Sequence, residues 1–303
     1  MFKGASNFVE GVDTAFAVII SISILFLVGL TFAMIYFSIK YNKKKNKVAE
    51  PTKDSVKLEI IWFVVPTILV LFMFYYGWVG YQPMLNIPDD AIPVKTTGKM
   101  WSWSFEYENG KWSDALIVPV NKPVKLDLVS DDVLHSFYVP AFRIKKDVVP
   151  GVDNKMWFEA QEEGVYNILC AEYCGTAHSA MIAEVRVVSQ DEFTKWYNTK
   201  DEVKRGAENG KDLIKKQGCN ACHTIDGSKL VGPSFKGLWG STRTVLEGKS
   251  KKNLKADAEY IKNSILNPKS QIVDGYPDAM LEYRGKINDQ EISDIIDYLK
   301  TLK

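Results

Sequence analysis

The pattern of apolar positions changes twice along the chain, from long uncharged runs to alternation and finally to a helical period. No charged residue occurs from Thr14 to Ile39, and the run from Phe16 to Phe37 is dense in aliphatic and aromatic side chains. A helix of about 20 apolar residues crosses a bilayer core, so this run predicts a first spanning helix over about 14–39. A second uncharged run follows Glu59, continues past Tyr81 and predicts a second span over about 59–82. Pro66 lies inside it, where a spanning helix tolerates proline. The first run is longer than the apolar core of a signal peptide and has no basic stretch before it beyond Lys3.

After a linker from Asn86 to Pro93, apolar residues alternate with polar ones. The stretches Val124 to Val129, Lys155 to Glu159, Val165 to Leu169 and Ile182 to Val188 read as short half-buried strands divided by Gly, Pro and Asp turns. Strands at that spacing predict a sandwich or barrel. Ser189 to Tyr197 predicts a short helix, and Asn198 to Gly206 is polar linker. A last helix is marked by Asn288 as N-cap, Glu291 three residues on, and Ile292, Ile295, Ile296 and Leu299 along one face. With 303 residues, more than one core buries. We divide the chain into a helical hairpin over 1–90, a β domain over 91–190, a linker over 191–207 and a C-terminal module over 208–303.

Charge orients the hairpin. Lys40, Lys43, Lys44, Lys45, Lys47, Lys53 and Lys57 lie between the two runs, whereas Lys3 alone precedes the first and Asp89 and Asp90 follow the second. The positive-inside rule puts the lysine loop in the cytoplasm and both termini outside. Tyr75, Tyr76, Trp78 and Tyr81 form the aromatic belt of an outer interface. A net charge of +1 is too small to imply nucleic acid as a partner, and none is expected. Glu59, at the inner start of the second helix, is explained either by the helix dipole or by a function at membrane depth.

Soft ligands are concentrated in Cys170-Ala-Glu-Tyr-Cys174-Gly-Thr-Ala-His178-Ser-Ala-Met181, and His135 precedes them in Asp132-Val-Leu-His-Ser-Phe-Tyr-Val-Pro140. Thiolate, imidazole and thioether together suit copper. The second cysteine allows two thiolates to bridge two metals. A Cys170 to Cys174 disulfide and a tetrahedral zinc site are the alternatives at this point.

The pattern Cys-x-Glu-x-Cys-Gly-x-x-His-x-x-Met, with Asp-Val-Leu-His-Ser-Phe before it, resembles subunit II of haem-copper cytochrome c oxidases over about residues 10 to 190. The resemblance implies a cupredoxin-like Greek-key domain in which His135, Cys170, Cys174, His178 and Met181 ligate a dinuclear CuA centre and Glu172 adds its backbone carbonyl. It also implies a magnesium or manganese site, shared with subunit I, at the Glu172 side chain. Trp101, in Trp101-Ser-Trp-Ser-Phe-Glu-Tyr107, resembles the tryptophan through which electrons reach CuA, although Ser102 stands where the family usually has tyrosine. Leu58-Glu-Ile-Ile-Trp62 resembles the start of the family's second helix, where the glutamate lies at a proton-uptake entrance.

In the C-terminal module, Cys219-Asn-Ala-Cys222-His223 is the haem c attachment pattern. Two thiols one turn apart reach the two vinyl groups, and the next residue meets the iron. The three histidines of the chain are His135, His178 and His223, and Met280 is the only methionine after Met181. Elimination makes Met280 the sixth ligand, a pairing that suits an electron carrier. Gly232-Pro233 and the C-terminal helix make the module resemble an all-α class I cytochrome c. Residues 203–303 hold 18 Lys and Arg against 13 Asp and Glu, a net of +5 that reads first as solvated surface and second as a docking patch for an acidic donor.

The sequence therefore predicts subunit II of the caa3 type, in which a covalent haem c feeds CuA and then subunit I, where oxygen is reduced with proton pumping. Tethering keeps the donor at high effective concentration. Expected partners are subunit I and the other oxidase subunits, an upstream quinol-oxidising complex or cytochrome c, and lipid of a bacterial plasma membrane with the metal domains on the periplasmic side. The rivals are a CuA-containing nitric oxide reductase subunit, a tethered carrier without a fixed partner, and a quinol oxidase subunit, which normally lacks the copper ligands.

Overall fold

The computed structural model describes residues 4–48, 54–200, 204–248 and 250–303. Lys3, Lys53 and positions 201–203 of the linker lie outside the described residues.

Two long helices open the chain, α1 (Val9–Lys40) and α2 (Val56–Leu85). Both run past the uncharged stretches, because a helix needs apolar side chains only where it meets lipid. Glu10 and Asp13 occupy the first two turns of α1. Ser55 caps α2 by accepting from the Leu58 N–H at 3.4 Å. Neither helix buries a side chain within the described chain, and both are long and apolar enough to cross a membrane. The helices approach each other at Gly11 and Gly80, where a Cβ on Gly80 would lie 3.3 Å from the Gly11 carbonyl oxygen.

The β domain is a sandwich of two five-stranded sheets, in the orders β3-β2-β1-β5-β8 and β4-β10-β9-β6-β7. In chain order the strands are β1 (Ile92–Lys99), β2 (Ser102–Tyr107), β3 (Trp112–Ser113), β4 (Leu116–Pro119), β5 (Pro123–Ser130), β6 (His135–Val139), β7 (Ile144–Val148), β8 (Asn154–Glu159), β9 (Gly164–Cys170) and β10 (Ile182–Val188). β1 runs parallel to β5 and β4 to β10, and the other pairs are antiparallel. The alternation seen in the sequence packs Phe105, Leu126, Phe137, Phe158 and Ile168 into one core. A helix α3 (Gln190–Asn198), capped by Ser189, closes its edge by setting Trp196 against Tyr107.

Residues 5–8 belong to this domain as well. Ser6 forms an antiparallel bridge with Ala160, and its hydroxyl donates to the Phe142 carbonyl at 2.7 Å. Phe8 stands edge-on to Trp157, whose indole N–H donates to the Pro83 carbonyl at the end of α2. Arg143 donates to Asp13 on α1 at 2.8 Å. The N-terminal end of α1 and the C-terminal end of α2 are thus fastened to the sandwich.

The C-terminal module packs α4 (Ala207–Lys216), α5 (Ala258–Leu266) and α6 (Asp289–Thr301) around a second core that includes Leu213, Ile261, Ile295 and Leu299. The capping box at Asn288 and Glu291 starts α6. The module also contains a hairpin, β11 (Thr242–Glu247) and β12 (Ser250–Lys255), joined by β13 (Ile272–Val273). The all-α expectation for this module did not include that small sheet.

Candidate copper and haem centres

Two strand ends and one loop assemble the first centre. His135 begins β6, Cys170 ends β9, and the loop to β10 carries Cys174, His178 and Met181. The Cys170 and Cys174 sulfurs are 3.8 Å apart, far beyond the roughly 2.05 Å of a disulfide, and both thiols are free. His135 Nδ1 lies 3.9 Å from the Cys170 sulfur and His178 Nδ1 lies 3.5 Å from that of Cys174. The Met181 sulfur, on a fully buried side chain, is 3.7 Å from that of Cys174. The Cys170 thiol donates to the Glu172 carbonyl at 3.2 Å. Ligand atoms of His135, Cys170 and Cys174 all lie within 4.8 Å of one another. Two thiols, two imidazoles, a thioether and a carbonyl fit a dinuclear copper centre, whereas a four-ligand zinc site leaves Met181 and the Glu172 carbonyl without a purpose.

The surroundings prepare these donors. Asp132 Oδ1 lies 2.7 Å from His135 Nε2, which leaves Nδ1 directed at the sulfurs. Burial opposes a charge on His135, but hydrogen bonds with Asp132 and Cys170 outweigh it and raise the imidazole to about 9. Burial likewise pushes the Cys170 thiol up, yet hydrogen bonds with His135 and with the backbone at Ser136 and Glu172 bring it down to about 6. Cys174 moves the other way, to about 12, through burial and the charge on Cys170. Gly98 is required here, since a Cβ would meet Trp103 at 2.9 Å and His135 at 3.2 Å.

The second centre is an apolar cavity lined by Cys219, Cys222, His223 and Met280, which the chain separates by up to 61 positions. His223 Nδ1 donates to the Pro233 carbonyl at 2.7 Å, so Nε2 carries the free lone pair. Burial lowers the imidazole's affinity for a second proton, against the opposing pull of the Pro233 carbonyl. Phe235 stacks on the ring at 4.6 Å. A Cβ at Gly232 would stand 2.5 Å from His223 Cε1. Burial holds both Cys219 and Cys222 up to about 11, as neutral thiols. An imidazole and a thioether lining one apolar cavity beside two thiols fit a covalent haem with two axial ligands.

Trp101 and Met100 of the β domain also line that cavity. The Trp101 indole N–H donates to the Cys174 carbonyl at 3.1 Å, so one side chain touches both centres. Glu59 belongs to neither; it is exposed on the first turn of α2. The sequence reading gave no role to Asp132 or Gly98. An aspartate three residues before the histidine was the available signal for the first; only the fold reveals the second.

Three family descriptions match the chain: Cytochrome C oxidase subunit II, transmembrane domain, over residues 1–77, its periplasmic domain over 112–188, and Cytochrome c over 207–303. Cytochrome c oxidase subunit 2 of Alkalihalophilus pseudofirmus is 29% identical over 303 residues, covering 94% of this chain and 86% of that protein. A probable cytochrome c oxidase subunit 2 of Rickettsia bellii is 30% identical over 211 residues, covering 62% of this chain and 77% of that protein. The crystal structure of the periplasmic domain of subunit II of cytochrome oxidase from Bradyrhizobium japonicum is 35% identical, with a TM-score of 0.35, over 37% of this chain and 94% of that one.

Proposed function

The chain belongs to the cytochrome c oxidase subunit II family, and from that membership we propose a role for each residue of the two centres. It is the electron-receiving subunit of a haem-copper oxidase; it partners subunit I, where the oxygen chemistry lies, and spans the membrane through its N-terminal region. His135, Cys170, Cys174, His178, Met181 and the Glu172 carbonyl hold CuA, and Cys219, Cys222, His223 and Met280 hold haem c. The bound groups supply one-electron transfer, from haem c to CuA and on to subunit I for reduction of oxygen with proton pumping.

The chain's own residues prepare that transfer. Asp132 and Pro233 each engage one ring nitrogen of a ligand histidine and leave the other for the metal. Trp101 bridges the centres through its contact with the Cys174 carbonyl and its place in the haem cavity wall, and this single observation carries the reading. The half-buried Glu172 carboxylate is assigned to a magnesium or manganese ion shared with subunit I. Glu59 is assigned to proton uptake, so Glu59→Ala is expected to slow turnover of the complex while leaving haem-to-copper transfer intact; equal turnover would return it to a capping role.

Orientation follows the same logic. Residues 5–8, Asp13 and Pro83 join the β domain, so the N-terminus, the outer end of α2 and the sandwich share one side. The lysine loop at the opposite end assigns that side to the periplasm of a bacterial plasma membrane, with lipid around both helices. A quinol-oxidising complex or a cytochrome c supplies the electrons. Metal analysis and an optical spectrum of the purified chain test the assignment: two coppers and one covalent haem are expected, and one zinc in place of copper would overturn it.

A further inference from the structure

Between the two domains lies a contact that electron transfer alone does not require. Lys99, the last residue of β1, is only 7% exposed, and its Nζ sits 4.6 Å from the ring centroid of Tyr283 in the cytochrome module. Tyr283 follows Met280 by three residues, lines the haem cavity and is buried. Its hydroxyl donates to the Gln217 carbonyl at 2.8 Å, which fixes the ring between the haem loop and the start of the attachment motif. A buried ammonium is costly unless something replaces its water. Here burial still lowers Lys99 below its ordinary value, but the face of an aromatic ring offsets part of that cost, with the charges of Asp131 and Asp132 acting in the same direction and that of Lys286 against them.

The surrounding surface is built as an interface. Gly218 sits so close to the β domain that a Cβ would stand 2.5 Å from the Ser102 hydroxyl. Ala221, Cys222 and Val231 pack on the sandwich core. At the rim, Lys215 pairs with Asp114 at 3.6 Å and Lys286 with Asp131 at 3.8 Å. An apolar centre at Ala221, Cys222 and Val231, flanked by a polar pocket at Lys99, Ser102 and Gln217 and by charged pairs at the rim, is the anatomy of a specific association rather than of two domains that merely share a linker.

We infer that Lys99 and Tyr283 form a latch that holds the cytochrome module docked on the copper domain, with its haem cavity against Trp101. Transfer then takes place inside a standing complex, and the tethered module does not have to find its partner anew for each electron. Both are positioning residues, and the latch is carried by the ring face of Tyr283, which the hydroxyl bond to Gln217 only helps to place. The inference rests on the proposed function for its purpose but not for its geometry.

Acylation of lysines in the full-length chain, read by mass spectrometry, tests it without using copper or oxygen. Lys99 is expected to react far more slowly than the exposed Lys122. Since that protection measures the undocked fraction, Tyr283→Leu is expected to speed Lys99 labelling about tenfold, the scale of a desolvated cation–π contact. Tyr283→Phe is expected to stay near the wild type. Equal reactivity of Lys99 and Lys122 in the wild type, or no change in Tyr283→Leu, overturns the latch.

A second arm leaves the haem loop untouched. Lys99→Ala is expected to slow haem-to-copper transfer and make it sensitive to solvent viscosity, with Lys99→Arg restoring the wild-type behaviour. Wild-type transfer in Lys99→Ala, or no rescue by Lys99→Arg, also overturns it. Copper and haem contents measured on the same samples separate the two questions: a chain that protects Lys99 yet binds no copper would refute the proposed function and leave the latch standing.

Discussion

At the scale of single residues, two of the three proposed ligand histidines, His135 and His223, are set by neighbours that bind nothing themselves. Gly232 clears the space beside His223, and a methyl group there would lie 2.5 Å from Cε1. Gly232→Ala is therefore expected to displace the imidazole from the iron, seen as altered axial ligation in the haem spectrum and a changed midpoint potential. Asp132→Ala removes the partner of His135 Nε2 and is expected to weaken copper binding about 10–100-fold, as loss of such partners does at other metal sites, measured by competition with a copper chelator. The proposed ligands were legible in the sequence because their chemistry resides in residue type and spacing. Pro233 was legible through resemblance. Asp132, three residues before His135, left a local signal that the spacing alone did not single out, whereas Gly98 acts through a distance between strands that no local spacing encodes.

At the scale of elements, the cytochrome module depends on the crossing of α4 and α6. Gly210 permits it, since a Cβ there would lie 2.0 Å from the Asp294 carbonyl oxygen. The Asp294 side chain, 2% exposed, accepts from Asn209 Nδ2 at 2.7 Å and from the Gly206 N–H at 2.9 Å, tying the start of α4 to α6. The hydrogen bond from Asn209, followed by the opposing cost of burial and further bonds from Gln290 and Gly206, leaves this carboxyl below its ordinary value of 3.8. A depressed folded-state value means that the carboxylate stabilises the module above about pH 4 and that this stability is lost as pH falls through the folded value. Asp294→Asn is expected to lower thermal stability near neutrality and to flatten its acid dependence, monitored by haem absorbance during unfolding. The apolar runs and alternating strands were readable because each maps onto a repeating geometry. The β11–β12 hairpin was not, because Ser250-Lys-Lys-Asn253 is polar on both faces and is held by pairing with β11. Residues 5–8 were equally hidden, since Ser6 pairs with Ala160, far along the chain.

At the scale of the whole molecule, two kinds of electron transfer meet at one haem, and ionic strength separates them. Inside the chain the domains meet through an apolar centre, while their rim pairs Lys215–Asp114 and Lys286–Asp131 are about half exposed. Exposed pairs contribute little and are screened within about 10 Å at 0.1 M salt. Haem-to-copper transfer is therefore expected to change less than about twofold as salt rises from low to high ionic strength. Delivery from an external donor is different, because it must be steered through solvent onto the C-terminal segment, which carries a net of +5 over residues 203–303. Its rate is expected to fall steeply with added salt when the donor surface is acidic. Following haem oxidation and haem reduction separately in the intact complex measures both. If the internal rate fell in parallel with the external one, the rim charges would be doing the docking, and the buried Lys99 and Tyr283 contact would be incidental to it.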